Sequence, residues 1–310
     1  MSKPARFPDF FVVGAPRCGT TTLCRALADN PQVCFSRPKE PHYFSLLPPD
    51  AALRDLESAY LARYFAHHHA GHRAIGEGSV SYLASPHAAA LIVGVHPQAK
   101  FIALLRNPLE MLPSYHLRMR FLLIEDVEDF DTAWRLQEAR ARGARVPRHC
   151  PDARLLLYGE VARYGAQIER LQRLAGRDQV LPLIFDDLVQ DAGAIYRQVL
   201  EFIGVDDDGQ TTFRPRLPSR TFRSQWLQRV MYRAARTTDA VETRQRRTKA
   251  RPPSTRKSLL RRLARWNRID GPPPPLSPEM TATLRAAFAD DVAQLSDRLG
   301  RDLRHWLAAA

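Results

Sequence analysis

Cysteine is scarce in this chain of 310 residues, and its four copies show no pattern of a metal or disulfide site. They are Cys18, Cys24, Cys34 and Cys150, and no two of them form a Cys-x-x-Cys pair. Small secreted domains held by disulfides and zinc-binding modules both need cysteines at characteristic spacings. The sequence therefore argues against both classes and favours a reduced, cytoplasmic location.

Long hydrophobic runs are also missing. No apolar stretch approaches the roughly 18 residues that a membrane-spanning helix needs, and Phe10 to Ala15 is too short for a secretory signal. Hydrophobic residues make up 45% and charged residues 25% of the chain, as in ordinary globular proteins. We expect one domain over 1–310 without a membrane span. The sequence leaves the oligomeric state open.

Acidic residues are few beside basic ones, with 33 Asp and Glu against 46 Lys and Arg. The excess lies in segment 214–268, which holds 18 basic residues and only two acids, Asp239 and Glu242. Such a segment fits nucleic acid, an anionic membrane surface, an acidic substrate or a solvated insert. We interpret it as a basic, irregular insert over about 214–275. A nucleic-acid-binding module is the rival interpretation, but it leaves the anion sites described below unexplained, so we do not expect a nucleic-acid partner.

Three short β-rich runs are each followed by a helical pattern. The runs are Phe10–Gly14, Lys100–Leu105 and Val180–Phe185. Their alternation with helices predicts an α/β protein with a P-loop-like three-layer fold, in which helices flank a central, mostly parallel sheet. Beyond a proline-rich break, an apolar stripe predicts a C-terminal helix over 277–300 that packs on the core. The other predicted helices cover Thr20–Leu27, 51–66, Ser85–Val95, Phe130–Ala141, Tyr164–Leu174, Ala192–Ile203 and a segment beginning near Pro108.

The loop after the first strand has the composition of an anion-binding site. It reads Gly14-Ala-Pro-Arg-Cys-Gly-Thr-Thr-Thr22 and joins a strand to a helix, so backbone N–H groups converge on one place. Gly14 and Gly19 have the spacing of a Walker A loop, but Thr20 stands where a nucleoside triphosphatase needs lysine. The cation of the loop is Arg17 instead. These residues argue against a kinase or triphosphatase and favour a different phosphoanhydride.

A second anion site is predicted after the second strand. Arg106 follows Leu105 directly, at the edge of a parallel sheet where ligands bind. Ser114 lies eight residues further on, which is about two helical turns. A guanidinium fork and a hydroxyl together make a receptor for a terminal phosphate.

Both motifs resemble the cofactor motifs of sulfotransferases that use 3′-phosphoadenosine 5′-phosphosulfate (PAPS). The resemblance rests on Pro16-Arg-Cys-Gly-Thr-Thr and on Arg106-Asn-Pro with Ser114. It covers most of the chain, since it extends to Lys39-Glu-Pro-His-Tyr-Phe44, Gly76-Glu-Gly-Ser-Val-Ser-Tyr82 and Leu299-Gly-Arg-Asp-Leu-Arg-His-Trp306. It is strongest to the bacterial branch that is similar to the heparan-type Golgi enzymes.

The resemblance implies a site for PAPS and its product, 3′-phosphoadenosine 5′-phosphate (PAP). By that resemblance the loop holds the 5′-phosphosulfate, whereas Arg106 and Ser114 hold the 3′-phosphate. The loop residues are Arg17, Cys18, Gly19, Thr20, Thr21 and Thr22. No metal is expected, because sulfuryl transfer needs positioned groups and charge neutralisation, and the cluster from His67 to His72 lacks the spacing of a metallohydrolase.

The resemblance also implies which residues carry out the transfer. Arg17 neutralises charge on the transferring group, and Glu40 resembles the catalytic glutamate of heparan sulfate 3-O-sulfotransferases. His42 is a second candidate base. Glu77 is a third. Together with Ser79 it is expected to contact the acceptor, and the equal alternative is that Glu77 caps the helix that opens at Ser85. The choice among the three bases stays open, as does the alternative that Glu40 only pairs with a neighbouring Lys39 or Arg37.

Two features depart from the heparan-type pattern. Gly78 follows Glu77 where those enzymes carry a basic residue, which weakens the case for a highly anionic polysaccharide acceptor. The C-terminal cofactor loop of the family is not recognisable, so an unidentified arginine between 214 and 251 is left to complete the 3′-phosphate site. We expect O-sulfation of a small-molecule, carbohydrate or natural-product hydroxyl, without a choice among them.

Overall fold

The computed structural model of this chain forms two compact units. It describes residues 6–51, 56–213, 219–230 and 262–308. The first unit comprises 1–111, 159–216 and 278–310, and the second comprises 112–158 and 217–277. One domain over 1–310 stays a prediction, and most of the basic insert lies outside the described residues. Within the described ranges we find no helix that is both long and apolar enough to cross a bilayer.

A parallel sheet of five strands organises the first unit. Its strands are β1 (Phe10–Gly14), β2 (Val33–Phe35), β3 (Ala74–Gly78), β4 (Lys100–Leu105) and β5 (Val180–Ile184). The order across the sheet is β2-β3-β1-β4-β5, and every neighbouring pair is parallel. β1 lies in the middle and is buried along its whole length, as its apolar sequence predicts for a central strand. The predicted fold class is confirmed, since helices flank this sheet.

Twelve labelled helices accompany the strands in the described residues. They are α1 (Thr20–Asp29), α2 (Tyr43–Leu46), α3 (Leu56–Tyr64), α4 (Ala88–Val95), α5 (Pro108–Phe121), α6 (Phe130–Arg135), α7 (Gln137–Ala141), α8 (Tyr158–Ala162), α9 (Tyr164–Ala175), α10 (Phe185–Gln190), α11 (Ala192–Ile203) and α12 (Pro278–Leu299). α1 buries Leu23, Cys24 and Leu27 on one face. This spacing puts the three side chains on the side of the helix that turns towards the core.

The C-terminal helix α12 packs against α9 within the first unit. Its buried stripe contains Leu284, Phe288, Val292 and Leu295. The Asp291 carboxylate accepts hydrogen bonds from the N–H groups of Gly165 and Ala166, at 2.9 and 3.0 Å. These N–H groups belong to the first turn of α9, which has no intrahelical acceptor for them. The contact therefore fixes α12 on the start of α9.

Several helices differ from their predicted bounds, and hydrogen bonds explain two of these differences. The helix predicted from Ser85 begins at Ala88, although the Ser85 hydroxyl still accepts a hydrogen bond from the Ala88 N–H at 3.1 Å. Ser85 itself closes a preceding turn, because its N–H bonds to the Ser81 carbonyl. The helix predicted over Phe130–Ala141 is divided into α6 and α7. The division lies at Leu136, whose N–H bonds back to Ala133 in a tighter turn.

The second unit contains a two-stranded hairpin and a buried ionic cluster. The hairpin pairs β6 (Arg220–Phe222) with β7 (Arg268–Asp270) in antiparallel register. In the cluster, the Arg140 guanidinium donates two hydrogen bonds of 2.8 Å to the Glu125 carboxylate. The Tyr158 hydroxyl donates a third at 2.7 Å. Such bidentate pairing satisfies both buried charges.

Candidate functional site

Four neighbouring strands deliver the predicted site residues to one edge of the sheet. β1 leads into the loop from Gly14 to Thr22, which we call the phosphate loop. β2 leads into Glu40, β3 into Ser79 and β4 into Arg106. Because the strands are parallel and adjacent, their carboxyl ends lie at the same edge. After β3 the chain crosses to the far side of β1, so the loop and Arg106 flank the point where the strand order reverses. Ligands of open α/β sheets bind at such points.

The phosphate loop ends in a helix start that carries no side-chain cap. Gly19 is the residue before α1 and adopts a left-handed φ of 83°. A Cβ atom at this position would lie 2.6 Å from Leu188 Cδ2, so glycine is required by both conformation and space. Without a capping side chain, the first N–H groups of α1 remain directed at the loop, which is the arrangement that binds phosphate groups.

Cys18 is a buried thiol and not a nucleophile. Its side chain is fully buried, and the thiol donates a hydrogen bond to the Pro16 carbonyl at 3.3 Å. Burial raises its pKa to about 12, although the charges of Arg106 and Arg17 oppose that rise. The thiol is therefore protonated at neutral pH and fills the loop.

Arg106 presents an unsatisfied donor in the interior of the first unit. Its Nε and Nη2 atoms donate to the Glu110 carboxylate at 3.1 and 2.5 Å, and its Cζ lies 4.9 Å from the centre of the Phe185 ring. Its Nη1 is buried and has no hydrogen-bond partner among the described residues. A buried N–H of this kind needs an acceptor. A phosphate oxygen fits that requirement.

Ser114 belongs to the second unit and lies in the middle of α5. It is buried, and its hydroxyl oxygen lies 2.8 Å from that of Ser219. Ser219 is thus a neighbour of a predicted cofactor residue that the sequence did not identify. The shared phosphate site of Ser114 and Arg106 stays a prediction.

Glu40 lies between a lysine and a histidine. Its Oε1 accepts a hydrogen bond from the Lys39 ammonium at 2.6 Å, and its Oε2 is 3.7 Å from His42 Nε2. Burial alone would raise the pKa of Glu40, but the nearby His42 and the charge of Lys39 lower it to about 2. Two of the candidate bases therefore touch each other, and Glu40 is ionised at neutral pH.

The Lys39 ammonium has a second contact, which the sequence did not reveal. Its Nζ lies 3.4 Å from the hydroxyl oxygen of Thr20, the first residue of α1. Lys39 therefore links Glu40 to the phosphate loop. The only sequence signal was a lysine next to the candidate base, which is equally typical of a solvated pair on a loop.

His42 is held in an unusual backbone conformation. Its φ is 54°, in the left-handed region, and its N–H donates to the Ser79 hydroxyl at 2.9 Å. Its Nδ1 lies 2.8 Å from the Ser81 hydroxyl oxygen. Arg17 shares the left-handed conformation, with a φ of 64°. Non-glycine residues adopt this region at a cost and cluster at functional sites, which supports both predictions.

Glu77 and Ser79 lie beneath His42 and not at the surface. Both side chains are fully buried. The Ser79 hydroxyl donates to Glu77 at 2.5 Å, and the hydroxyls of Tyr60 and Tyr82 donate to the same carboxylate. Burial raises the pKa of Glu77, against the effect of these three hydroxyls. In this structure the pair supports the His42 backbone, and their predicted contact with the acceptor stays untested.

The departure at Gly78 has a steric cause. A Cβ atom on Gly78 would lie 2.7 Å from Cys24 Sγ and 3.1 Å from the Phe35 ring. Real Cβ atoms do not approach so closely, because side chains in protein interiors are already close-packed. A basic residue at this position does not fit unless the Cys24 side chain and the Phe35 ring move.

Comparison with known proteins decides the family. Residues 35–209, more than half of the chain, match the model of the sulfotransferase family. This protein is a member of that family. The matched range begins at Phe35, after the phosphate loop. The resemblance predicted from the sequence motifs is confirmed.

A solved sulfotransferase structure from Alicyclobacillus acidocaldarius has the same fold. The two structures superpose with a TM-score of 0.66 at 26% sequence identity, over 98% of this chain and 100% of that one. The superposition therefore covers the whole of the Alicyclobacillus chain.

Curated relatives are similar over shorter stretches. Membrane-associated sulfotransferase kil1 of Dictyostelium discoideum is 30% identical over 118 residues, which are 37% of this chain and 24% of kil1. Carbohydrate sulfotransferase 15 of Homo sapiens is 47% identical over 38 residues, which are 12% of this chain and 7% of that protein. The chain thus spans about a quarter or less of the length of these relatives.

Proposed function

We propose that this sulfotransferase transfers the sulfuryl group of PAPS to a hydroxyl acceptor, giving an O-sulfate ester and PAP. The observation that carries the proposal is the meeting of three groups at one sheet edge. They are an uncapped helix start at Thr20, a buried guanidinium with an unsatisfied N–H at Arg106, and an ionised carboxylate at Glu40. The helix start and Arg106 match the two phosphate positions of the donor. The Glu40 carboxylate matches an acceptor hydroxyl that loses a proton.

The residues present fit PAPS, which supplies an activated sulfuryl group on a phosphoanhydride. The N–H groups at the start of α1 and the charge of Arg17 would hold the 5′-phosphosulfate and offset charge that develops on it during transfer. Arg106, through its unsatisfied Nη1, would hold the 3′-phosphate together with Ser114. No role for a metal ion is proposed.

Glu40 is the proposed general base. As the acceptor oxygen bonds to sulfur, the bond from sulfur to the 5′-phosphate oxygen breaks, and the acceptor proton passes to the Glu40 carboxylate. His42, at 3.7 Å from Glu40, would orient that carboxylate or take the proton in its place. Ser79 and Glu77 hold the His42 backbone, so they act through His42.

The acceptor is proposed only as a class, namely a small-molecule, carbohydrate or natural-product hydroxyl. The name of one relative, a carbohydrate sulfotransferase, supports carbohydrates within that class. Gly78 stands where the heparan-type enzymes carry a basic residue, and its close neighbours leave little room for one. This argues against a highly anionic polymer as the acceptor. A cytoplasmic setting is proposed as well, and the four free cysteines support it.

Calorimetry with PAP tests the proposed donor site. We expect PAP to bind without metal and ATP to bind more weakly. Arg106→Ala should weaken PAP binding by about 1.5–3 kcal/mol, because it removes a charged hydrogen bond. AMP lacks the 3′-phosphate, so its binding should not respond to this change. Arg304→Ala removes an exposed arginine as the control.

Two results would contradict the proposal. ATP binding that is tighter than PAP binding and depends on magnesium would indicate a divergent kinase site. An equal loss of PAP and AMP affinity in Arg106→Ala would remove Arg106 from the 3′-phosphate.

A further inference from the structure

Lys39 stands between the phosphate loop and the candidate base. Its ammonium is 2.6 Å from Glu40 Oε1 and 3.4 Å from Thr20 Oγ1. The Lys39 side chain is 23% exposed and that of Glu40 34%. One cation therefore contacts both the carboxylate and the residue that begins the anion-binding helix.

We propose that Lys39 is a positioning residue that makes Glu40 an effective base only when an anion is bound at Thr20. The inference rests on the proposed function and adds regulation to it. An anion held by the loop competes with Glu40 for the same ammonium. As Lys39 turns towards the bound anion, Glu40 loses a stabilising partner and accepts a proton more readily.

The chemistry of lysine suits this exchange. Lysine carries a compact point charge with three donors on a flexible stem, so it can divide its contacts between two anions. Charged hydrogen bonds to a phosphate oxygen are stronger than one to a neutral hydroxyl such as that of Thr20. An anion on the loop therefore attracts the ammonium without any movement of the backbone.

The groups around Glu40 show how much depends on Lys39. Among the described residues, Lys39 and His42 are the groups that lower the Glu40 pKa, and the nearby Cys24 thiol stays neutral because burial raises its pKa to about 12. Lys39 and His42 are thus the partners that hold the Glu40 pKa near 2, against the effect of burial. A carboxylate with so low a pKa is a weak base for an alcohol. Loss of part of the Lys39 contact leaves burial less opposed and strengthens the base.

The consequence is an order of events. Without a bound donor, the Lys39 charge lowers the basicity of Glu40. When the donor is bound, Lys39 turns towards it and Glu40 becomes a competent base beside the sulfuryl group. Proton removal from the acceptor is thereby tied to the presence of the group that will be transferred.

A titration of Glu40 tests the coupling directly. The full chain is labelled with ¹³C at glutamate carboxyls, Glu40→Gln assigns the signal, and the pKa of Glu40 is measured with and without PAP. We expect PAP to raise this pKa by about one unit or more, the usual scale for loss of a neighbouring opposite charge. In Lys39→Met the pKa should be higher before PAP is added, and the further rise with PAP should be smaller.

The rise of the Glu40 pKa on PAP binding is compared between the wild type and Lys39→Met. The difference between the two rises is the contribution of Lys39. Direct repulsion between PAP and Glu40 acts in both proteins, whereas the shared ammonium acts only in the wild type. Arg304→Met, which removes an exposed charge, should behave like the wild type. The pH profile of kcat gives a second readout, because its acidic limb should follow the Glu40 pKa of the donor complex.

Three outcomes would overturn the inference. An unchanged Glu40 pKa on PAP binding removes the coupling and leaves the proposed function standing. A rise in Lys39→Met as large as that in the wild type assigns the effect to repulsion alone. If calorimetry detects no PAP binding, the coupling falls together with the proposed function.

Discussion

Two regions of this sulfotransferase combine a glutamate with a cation and a histidine, and they differ in what surrounds them. At the sheet edge of the first unit, Glu40 pairs with Lys39 and His42, and the glutamate and lysine side chains are each about a quarter to a third exposed. In the second unit, Glu125 pairs with Arg140, and both side chains are fully buried. His116 lies close enough for the charge of Glu125 to affect its pKa.

The difference shows how exposure and geometry decide what a charge pair can do. Arg140 binds Glu125 through two nitrogens and lies in an interior that offers no exchange with water. Lys39 binds Glu40 through one nitrogen and has Thr20 as a second neighbour. The first pair stabilises the fold, because separation would leave two buried charges uncompensated. The second can be rearranged by a ligand.

The largest expected effect concerns activity at the exposed pair. Glu40→Gln should lower turnover by roughly 10²–10⁴-fold, the range for loss of a general base, and PAP affinity should not fall. Steady-state kinetics and calorimetry measure the two quantities. Turnover within tenfold of the wild type would move the base to His42 or Glu77.

The buried pair should instead control stability. Arg140→Ala should lower the free energy of unfolding by about 3–5 kcal/mol, because it leaves Glu125 buried without its cation. Lys39→Ala should lower it by less than about 1 kcal/mol, as for other partly exposed pairs. Urea unfolding of both variants measures the difference. Equal losses would show that exposure does not separate the two pairs.

The histidine of the buried region should make stability depend on pH. Burial lowers the pKa of His116 to about 4 from an ordinary value of 6.5, and its Nε2 donates to the Val127 carbonyl at 3.1 Å. Between pH 6.5 and 4 the unfolded chain binds a proton that folded His116 does not, so stability falls as pH falls through this window. The full effect is about 3 kcal/mol.

Unfolding in urea between pH 7 and 5 measures this dependence. His116→Gln should flatten the slope of stability against pH, whatever its effect on stability at pH 7. A slope that is unchanged in the variant would assign the acid sensitivity to other groups.

The smallest expected effect concerns the close packing around Gly78, at the end of β3. Gly78→Ala should destabilise by about 1–3 kcal/mol, because its Cβ would press on Cys24 and Phe35. Gly94→Ala is the matched control, since Gly94 lies in α4 and no described atom outside its own helical turn lies within 4 Å of its Cβ position. That change should be neutral or stabilise by up to about 1 kcal/mol. A neutral Gly78→Ala would mean that β3 yields to the side chain.

The sequence predicted the longer apolar strands and missed β2, which is apolar but only three residues long, and β3, which is not a continuous apolar run. β1, β4 and β5 are continuous apolar runs, which is the pattern of buried parallel strands. β3 is Ala-Ile-Gly-Glu-Gly, with a buried carboxylate. Its Gly76 has no side chain because the Phe10 ring of β1 occupies that space. A strand shaped by its neighbour across the sheet has no local pattern to recognise.

The candidate site divides in the same way. The phosphate loop and Arg106 were predicted because each follows its strand directly, so local sequence defines their place. The contact of Lys39 with Thr20 depends on the position of β2 two strands away from β1, with β3 between them. Likewise, the contact of Ser114 with Ser219 joins α5 to the start of β6. Neither neighbour is visible before the chain is folded.

The strand order also has a consequence for how the protein is made. The proposed donor-binding groups follow β1 and β4, and the proposed base follows β2, which is joined to β1 through β3. All of these pairings join distant parts of the chain, and such non-local parallel pairings form slowly. A nascent chain that ends before β4 therefore lacks half of the anion receptor. We therefore expect the proposed donor site to be complete only once β4 has paired with β1.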